Sequence, residues 1–126
     1  MSGAVSRLGV IGAGNIGGAI AVNLLADGHA VTVHDADPAR CRALAERGAA
    51  VVTSAAAVAE RSEITFTSLP TPAVMEAVAG AWLAGAPAGA VLVDLSTNAP
   101  ATVRAVGARL AAAGRHLLEA PLTGGV

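Results

Sequence analysis

Apolar residues along this chain follow two alternating patterns. Short continuous runs at Leu8 to Ile11, Ala30 to Val33, Val51 to Val52, Ile64 to Leu69, Ala90 to Leu95 and His116 to Glu119 read as six strands. Between them apolar residues recur at helical spacing. Ile16, Ile20, Leu24 and Leu25 form one such stripe, stopped by Gly28. Asp37 and Pro38 supply an N-cap and a first-turn proline for a helix to about Arg47, with Gly48 as its C-cap. Ser54 caps a short alanine-rich helix ending near Arg61. Thr71 and Pro72 repeat the cap-plus-proline signature, and Val74, Val78 and Trp82 fall on one stripe after it. Pro100 opens a last helix through Val103, Val106 and Leu110, which Gly114 ends.

Strands that alternate with helices imply right-handed crossovers and a parallel α/β sheet. Parallel strands are covered on both faces, so they read as unbroken apolar runs. Ligands of such sheets bind beyond the carboxyl ends of the strands. Those ends are Gly12–Ile16, His34–Asp37, Leu69–Thr71, Asp94–Asn98 and Ala120–Gly125, and the unusual residue clusters of the chain fall there.

The 126 residues suit one domain with a real core. Hydrophobic residues reach 54% and charged residues only 13%, which argues against disorder. The excess is largely alanine, and the uncharged stretch Ala77 to Val93 holds Pro87 and is shorter than a spanning helix, so no membrane segment is expected. A net charge of −1 without a basic patch argues against nucleic-acid binding. One cysteine, Cys41, and no signal-like N-terminus point to a cytoplasmic protein.

Gly12, Gly14 and Gly17 form G-x-G-x-x-G directly after a strand and before a helix, where that motif carries meaning. The first glycine permits a tight turn, the second lets a pyrophosphate approach the backbone, and the third lets helix and sheet pack closely. The free amides and positive end of the helix then face the phosphates. Asp35 ends the second strand, where a carboxylate hydrogen-bonds ribose hydroxyls and repels a 2′-phosphate. NAD is therefore expected in preference to NADP. Arg40 and Arg42 would soften that preference if they faced the ligand; a solvated helix face is the simpler reading. The expected architecture is a Rossmann-type doubly wound sheet of order 3-2-1-4-5-6.

Three more motifs accompany the glycine loop: "SLPTPAVMEAV" at 68–78, "VDLSTNAPATVR" at 93–104 and "EAPLTGGV" at 119–126. Together they resemble the 3-hydroxyacid dehydrogenase family, which includes 3-hydroxyisobutyrate, tartronate semialdehyde and 6-phosphogluconate enzymes. The resemblance implies a pyrophosphate loop at Gly12, Ala13, Gly14, Asn15, Ile16 and Gly17, with Asp35 as the ribose anchor. It implies cofactor contacts at Leu69 and Pro70, and Thr97 near the nicotinamide ribose. Thr123, Gly124 and Gly125 would hold the carboxylate of a small substrate, with threonine where the family usually carries serine. Val74 stands where relatives often have a polar cofactor contact.

The family's proton donor is a lysine on a helix after the T-G-G loop. The resemblance puts that position beyond Val126, the last residue of the sequence. This chain has no lysine; its eight cationic residues are all arginines. No catalytic residue is therefore assigned within it. Residues 1–126 read as the dinucleotide-binding domain of a longer oxidoreductase, truncated near its C-terminal end, with the helical domain absent. The chain alone is expected to be inactive. The whole enzyme would pass a hydride between a small 3-hydroxy acid and NAD, as a homo-oligomer. The rivals are an imine reductase using NADP, a non-catalytic dinucleotide-binding fragment and, more remotely, a methyltransferase. His29, His34, His116 and Glu119 read as structural or exposed residues and not as a substitute base.

Overall fold

The computed structural model describes residues 6–96 and 98–120. Six strands, β1 (Arg7–Ile11), β2 (Ala30–His34), β3 (Ala50–Val51), β4 (Ile64–Thr67), β5 (Val91–Asp94) and β6 (His116–Glu119), form one sheet of order β3-β2-β1-β4-β5-β6. Every pair is parallel. The expected order is thus the observed one. The strand order reverses between β1 and β4, which places a crevice beyond their carboxyl ends.

The crossovers contain α1 (Asn15–Ala26), α2 (Arg42–Glu46), α3 (Ala55–Glu60), α4 (Pro72–Gly85) and α5 (Pro100–Ala112). Local chemistry sets several starts. Ser54 Oγ accepts from the Ala57 amide and Thr71 Oγ1 from the Val74 amide, so both caps form as read. Asp37 accepts from the Ala39 amide. The helix expected from there to Arg47 is divided, with a 3₁₀ turn at Pro38–Cys41 before α2.

Neighbouring residues of β1 face opposite ways. Val10 joins Ala21, Val31, Val33, Cys41 and Leu44 under α1 and α2, while Ile11 joins Val58, Met75, Trp82, Leu92, Val106 and Leu110 under α3 to α5. Trp82 is fully buried, and its indole N–H donates to Thr65 Oγ1 at 2.9 Å.

Two helical stripes differ from expectation. In α1 the buried residues are Gly17 and Ala21, and Ile16 is 41% exposed. Gly17 permits so close an approach that the sheet-facing row must be small. In α4 the buried row is Met75, Ala79 and Trp82, which leaves Val74 and Val78 to line the crevice.

Candidate functional site

A cleft of about 470 Å³ opens at the switch point, lined by Ile11, Gly12, His34 to Asp37, Arg40, Ser68 to Pro70, Val74 and Val78. The carboxyl ends of β1, β2 and β4 therefore meet as the sequence implied. The end of β5 approaches differently, through side-chain hydrogen bonds to the β4 loop. Thr97, Thr123, Gly124, Gly125 and Val126 lie outside the described residues. The expected substrate loop and the expected place of the family's lysine, beyond Val126, therefore lie outside them too.

The glycines have separable duties. Gly12 has φ +94°, and a Cβ there would fall 2.2 Å from the Ser68 carbonyl oxygen. A Cβ on Gly17 would fall 1.8 Å from the Gly12 carbonyl oxygen. Both glycines are required by the fold itself. Gly14 is different. Its φ of −75° is open to any residue, and a Cβ there would meet only the Arg40 guanidinium, at 3.2 Å. The fold does not need a glycine at 14, so its bare backbone suits a ligand instead.

Gly14 also forms the N-cap of α1 without any side-chain cap, and the first turn carries no acidic residue. The first helical bond runs from Gly18 N–H to Gly14 C=O at 2.7 Å. The preceding helix amides, at Asn15 to Gly17, have no intrahelical acceptor. Such an end attracts an anion through its free N–H groups and its partial positive charge.

The loop is fastened to the end of β2. Gly12 N–H donates to the His34 carbonyl at 2.9 Å, and Ala13 N–H donates to Asp35 Oδ2 at 2.7 Å. Asp35 Oδ1 accepts from the Asp37 amide at 2.8 Å. A carboxylate has roughly four acceptor sites, so capacity remains for hydroxyl donors. Arg40 lines the cleft and lies 3.9 Å from Asp37 at an exposed ion pair, whereas Arg42 does not line it. The expectation of a plain solvated face thus fits Arg42 and is corrected for Arg40, which the 3₁₀ turn swings toward Gly14.

His34 donates from Nδ1 to the Val52 carbonyl at 3.1 Å and so fastens β2 to the end of β3. His29 and His116 sit at the amino ends of β2 and β6, the side of the sheet away from the cleft. Glu119 is an exposed residue at the end of β6. Cys41 is 1% exposed; burial, and then the Asp35 carboxylate, push its thiol above the ordinary range.

Asp94, Ser96 and Asn98 received no individual role from sequence, although all three lie in the "VDLSTNAPATVR" motif at the end of β5. Asp94 is 2% exposed. Its Oδ1 accepts from Thr67 Oγ1 at 3.0 Å and from the Ser96 amide at 3.1 Å, and Oδ2 accepts from the Asn98 side chain. Ser96 Oγ in turn accepts from the Leu69 amide at 2.7 Å.

Among the described residues no helix is long and apolar enough to cross a membrane. The chain is 38% identical, over 97% of its own length, to a 3-hydroxyisobutyrate dehydrogenase of Pseudomonas aeruginosa, of which it spans 42%. Its fold is similar to that of a Mycobacterium tuberculosis 3-hydroxyisobutyrate dehydrogenase solved with L-serine (TM-score 0.91, 30% identity, 97% of this chain and 42% of that one). A Myxococcus stipitatus imine reductase variant in complex with NAD+ is also similar (TM-score 0.84, 26% identity, 92% of this chain and 40% of that one). The chain thus spans about 40% of the length of these relatives. Residues 7–126 match the family model of the NAD-binding domain of 6-phosphogluconate dehydrogenase, and the chain belongs to that family.

Proposed function

We propose that this chain is the cofactor-binding part of an oxidoreductase that passes a hydride between a small 3-hydroxy acid and NAD. The observation that carries this reading is Gly14: a glycine unneeded by the fold, at the uncapped start of α1, next to a cleft that Gly12 and Asp35 line. In this reading Gly12, Ala13, Gly14, Asn15, Ile16 and Gly17 hold the pyrophosphate and Asp35 takes the adenine ribose. Leu69 and Pro70 wall the nicotinamide side, with Thr97 near its ribose. Thr123, Gly124 and Gly125 receive the substrate carboxylate. When bound, the nicotinamide supplies the hydride donor or acceptor. The chain's own residues bind and orient it. With no lysine up to Val126, this chain contributes no counterpart of the family's proton donor.

Asp35 supports NAD over NADP. A 2′-phosphate about 4 Å from a carboxylate is repelled by ~4 kcal/mol per pair of unit charges at an effective dielectric near 20. Arg40 at the rim reduces that penalty without cancelling it, being exposed and paired to Asp37. The imine reductase reading remains the second one, favoured by the position of Arg40. The whole protein is proposed to be a cytoplasmic homo-oligomer acting on a small carboxylate, with residues 1–126 as its dinucleotide-binding domain.

The test is a calorimetric titration with NADH, NADPH and S-adenosylmethionine. Tighter binding of NADH is expected. Tighter binding of NADPH would move the reading to the imine reductases. Binding of S-adenosylmethionine alone would overturn it.

A further inference from the structure

The wall formed by Leu69 and Pro70 leaves the sheet just beyond β4. The last ladder-like contacts are Ser68 N–H to the Ile11 carbonyl at 3.1 Å and Leu95 N–H to the Thr67 carbonyl at 2.8 Å. Pro70 carries no N–H, so this two-residue wall can be fastened by donation only through the Leu69 amide. That amide donates to Ser96 Oγ, from the loop after β5, at 2.7 Å.

Ser96 is itself fixed from below. Thr67 and Asp94 are register partners on β4 and β5, so their side chains share a face. The buried Asp94 carboxylate accepts from Thr67, from the Ser96 amide and from Asn98. Three donors on one buried carboxyl group offset much of the cost of taking its oxygens out of water. The chain of bonds runs Thr67–Asp94–Ser96–Leu69 and closes the gap between two strand ends at the cleft.

We propose that Asp94 and Ser96 are positioning residues for the dinucleotide. They hold the Leu69–Pro70 wall in its binding geometry before the ligand arrives. Ser96 acts through the Leu69 amide, and Asp94 acts through the Ser96 backbone. The inference rests on reading the cleft as a dinucleotide site. Neither residue would be needed for that purpose if the wall merely packed against the core.

The test compares NADH affinity and thermal unfolding in the parent protein, Ser96→Ala, Ser96→Thr and Asp94→Asn. Losing one ordering hydrogen bond is expected to weaken NADH by about 5- to 10-fold in Ser96→Ala. Its unfolding midpoint should stay close to that of the parent, and amide exchange at Leu69 should quicken about 10-fold without ligand. Ser96→Thr keeps the hydroxyl and should restore affinity. Asp94→Asn keeps one acceptor and should lose less; it also decides the question if Ser96→Ala does not fold. Variants that lose stability yet bind NADH as the parent does would overturn the positioning role. A parent that binds no NADH would instead sink the dinucleotide reading, and the positioning role with it. The two failures are distinguishable because only the second is seen in the parent.

Discussion

The Asp35 carboxylate accepts a hydrogen bond from the Ala13 amide at 2.7 Å. One side chain at the end of β2 thus shapes the glycine loop at the end of β1 and still faces the cleft. Under the proposed function, replacing it removes a loop contact and a cofactor contact together. Asp35→Ala is expected to weaken NADH by about 10- to 100-fold, because a loop amide loses its acceptor and, under the proposed function, the ribose loses its partner. It should also narrow the gap between NADH and NADPH. Asp35→Asn keeps an acceptor for Ala13 and should lose less NADH affinity. Titration of the three proteins with both dinucleotides checks this. An unchanged NADH/NADPH ratio in Asp35→Ala would exclude Asp35 from the choice of cofactor.

The glycines at 14 and 17 should separate in their effects. Gly17→Ala drives a Cβ into the Gly12 carbonyl and is expected to cost about 2–3 kcal/mol of stability. Gly14→Ala meets only a flexible guanidinium and should leave the urea midpoint nearly unchanged. The same substitution should weaken dinucleotide binding by about tenfold or more, since the added methyl occupies the path to the backbone. Equal loss of stability in both variants would show that Gly14 serves the fold as well.

Trp82 reports on the larger core. It is fully buried, and Thr65 Oγ1 accepts its indole N–H. Thr65→Val is nearly isosteric but leaves that donor without a partner, at a cost of about 1–3 kcal/mol. Trp82 is the single tryptophan, so its fluorescence follows the loss directly in an unfolding titration. A valine variant as stable as the parent would mean that the donor has found another acceptor.

Cys41 should resist thiol reagents until the protein unfolds, since it is 1% exposed. Burial, followed by Asp35, raises its pKa in the folded state. A raised folded pKa contributes stability that is fully present below the unfolded-chain value. That stability is lost as pH rises through the folded value. Urea midpoints should therefore decline as pH climbs from the ordinary thiol range upward. Cys41→Ala should flatten that part of the profile. A decline of the same size in the alanine variant would assign it to other groups.

Close backbone contacts were the least legible part of the chain. Gly9 sits mid-strand in β1, and a Cβ there would fall 2.4 Å from Val58 Cγ1 and 2.6 Å from Ser62 Oγ. Gly85 ends α4, and a Cβ there would fall 2.2 Å from the Ala56 carbonyl oxygen. Neither belongs to a motif. Each glycine lets a helix settle against its neighbour, and the neighbour is distant in sequence. The Ser96–Leu69 bond is of the same kind. It spans 27 residues and depends on the parallel register of β4 and β5.

By itself the sequence determined the alternation of strands and helices, the parallel sheet, the caps at Asp37, Ser54 and Thr71, and the glycine loop before α1. These follow from short-range periodicity and local hydrogen bonding, which neighbouring residues carry. Only the tertiary structure decided which glycine of the loop the fold itself leaves room to replace, that Val74 and Val78 face the cleft, and that Asp94 and Ser96 join two strand ends. Those outcomes depend on what lies across the sheet, where a shift of one residue in register would turn each side chain to the other face.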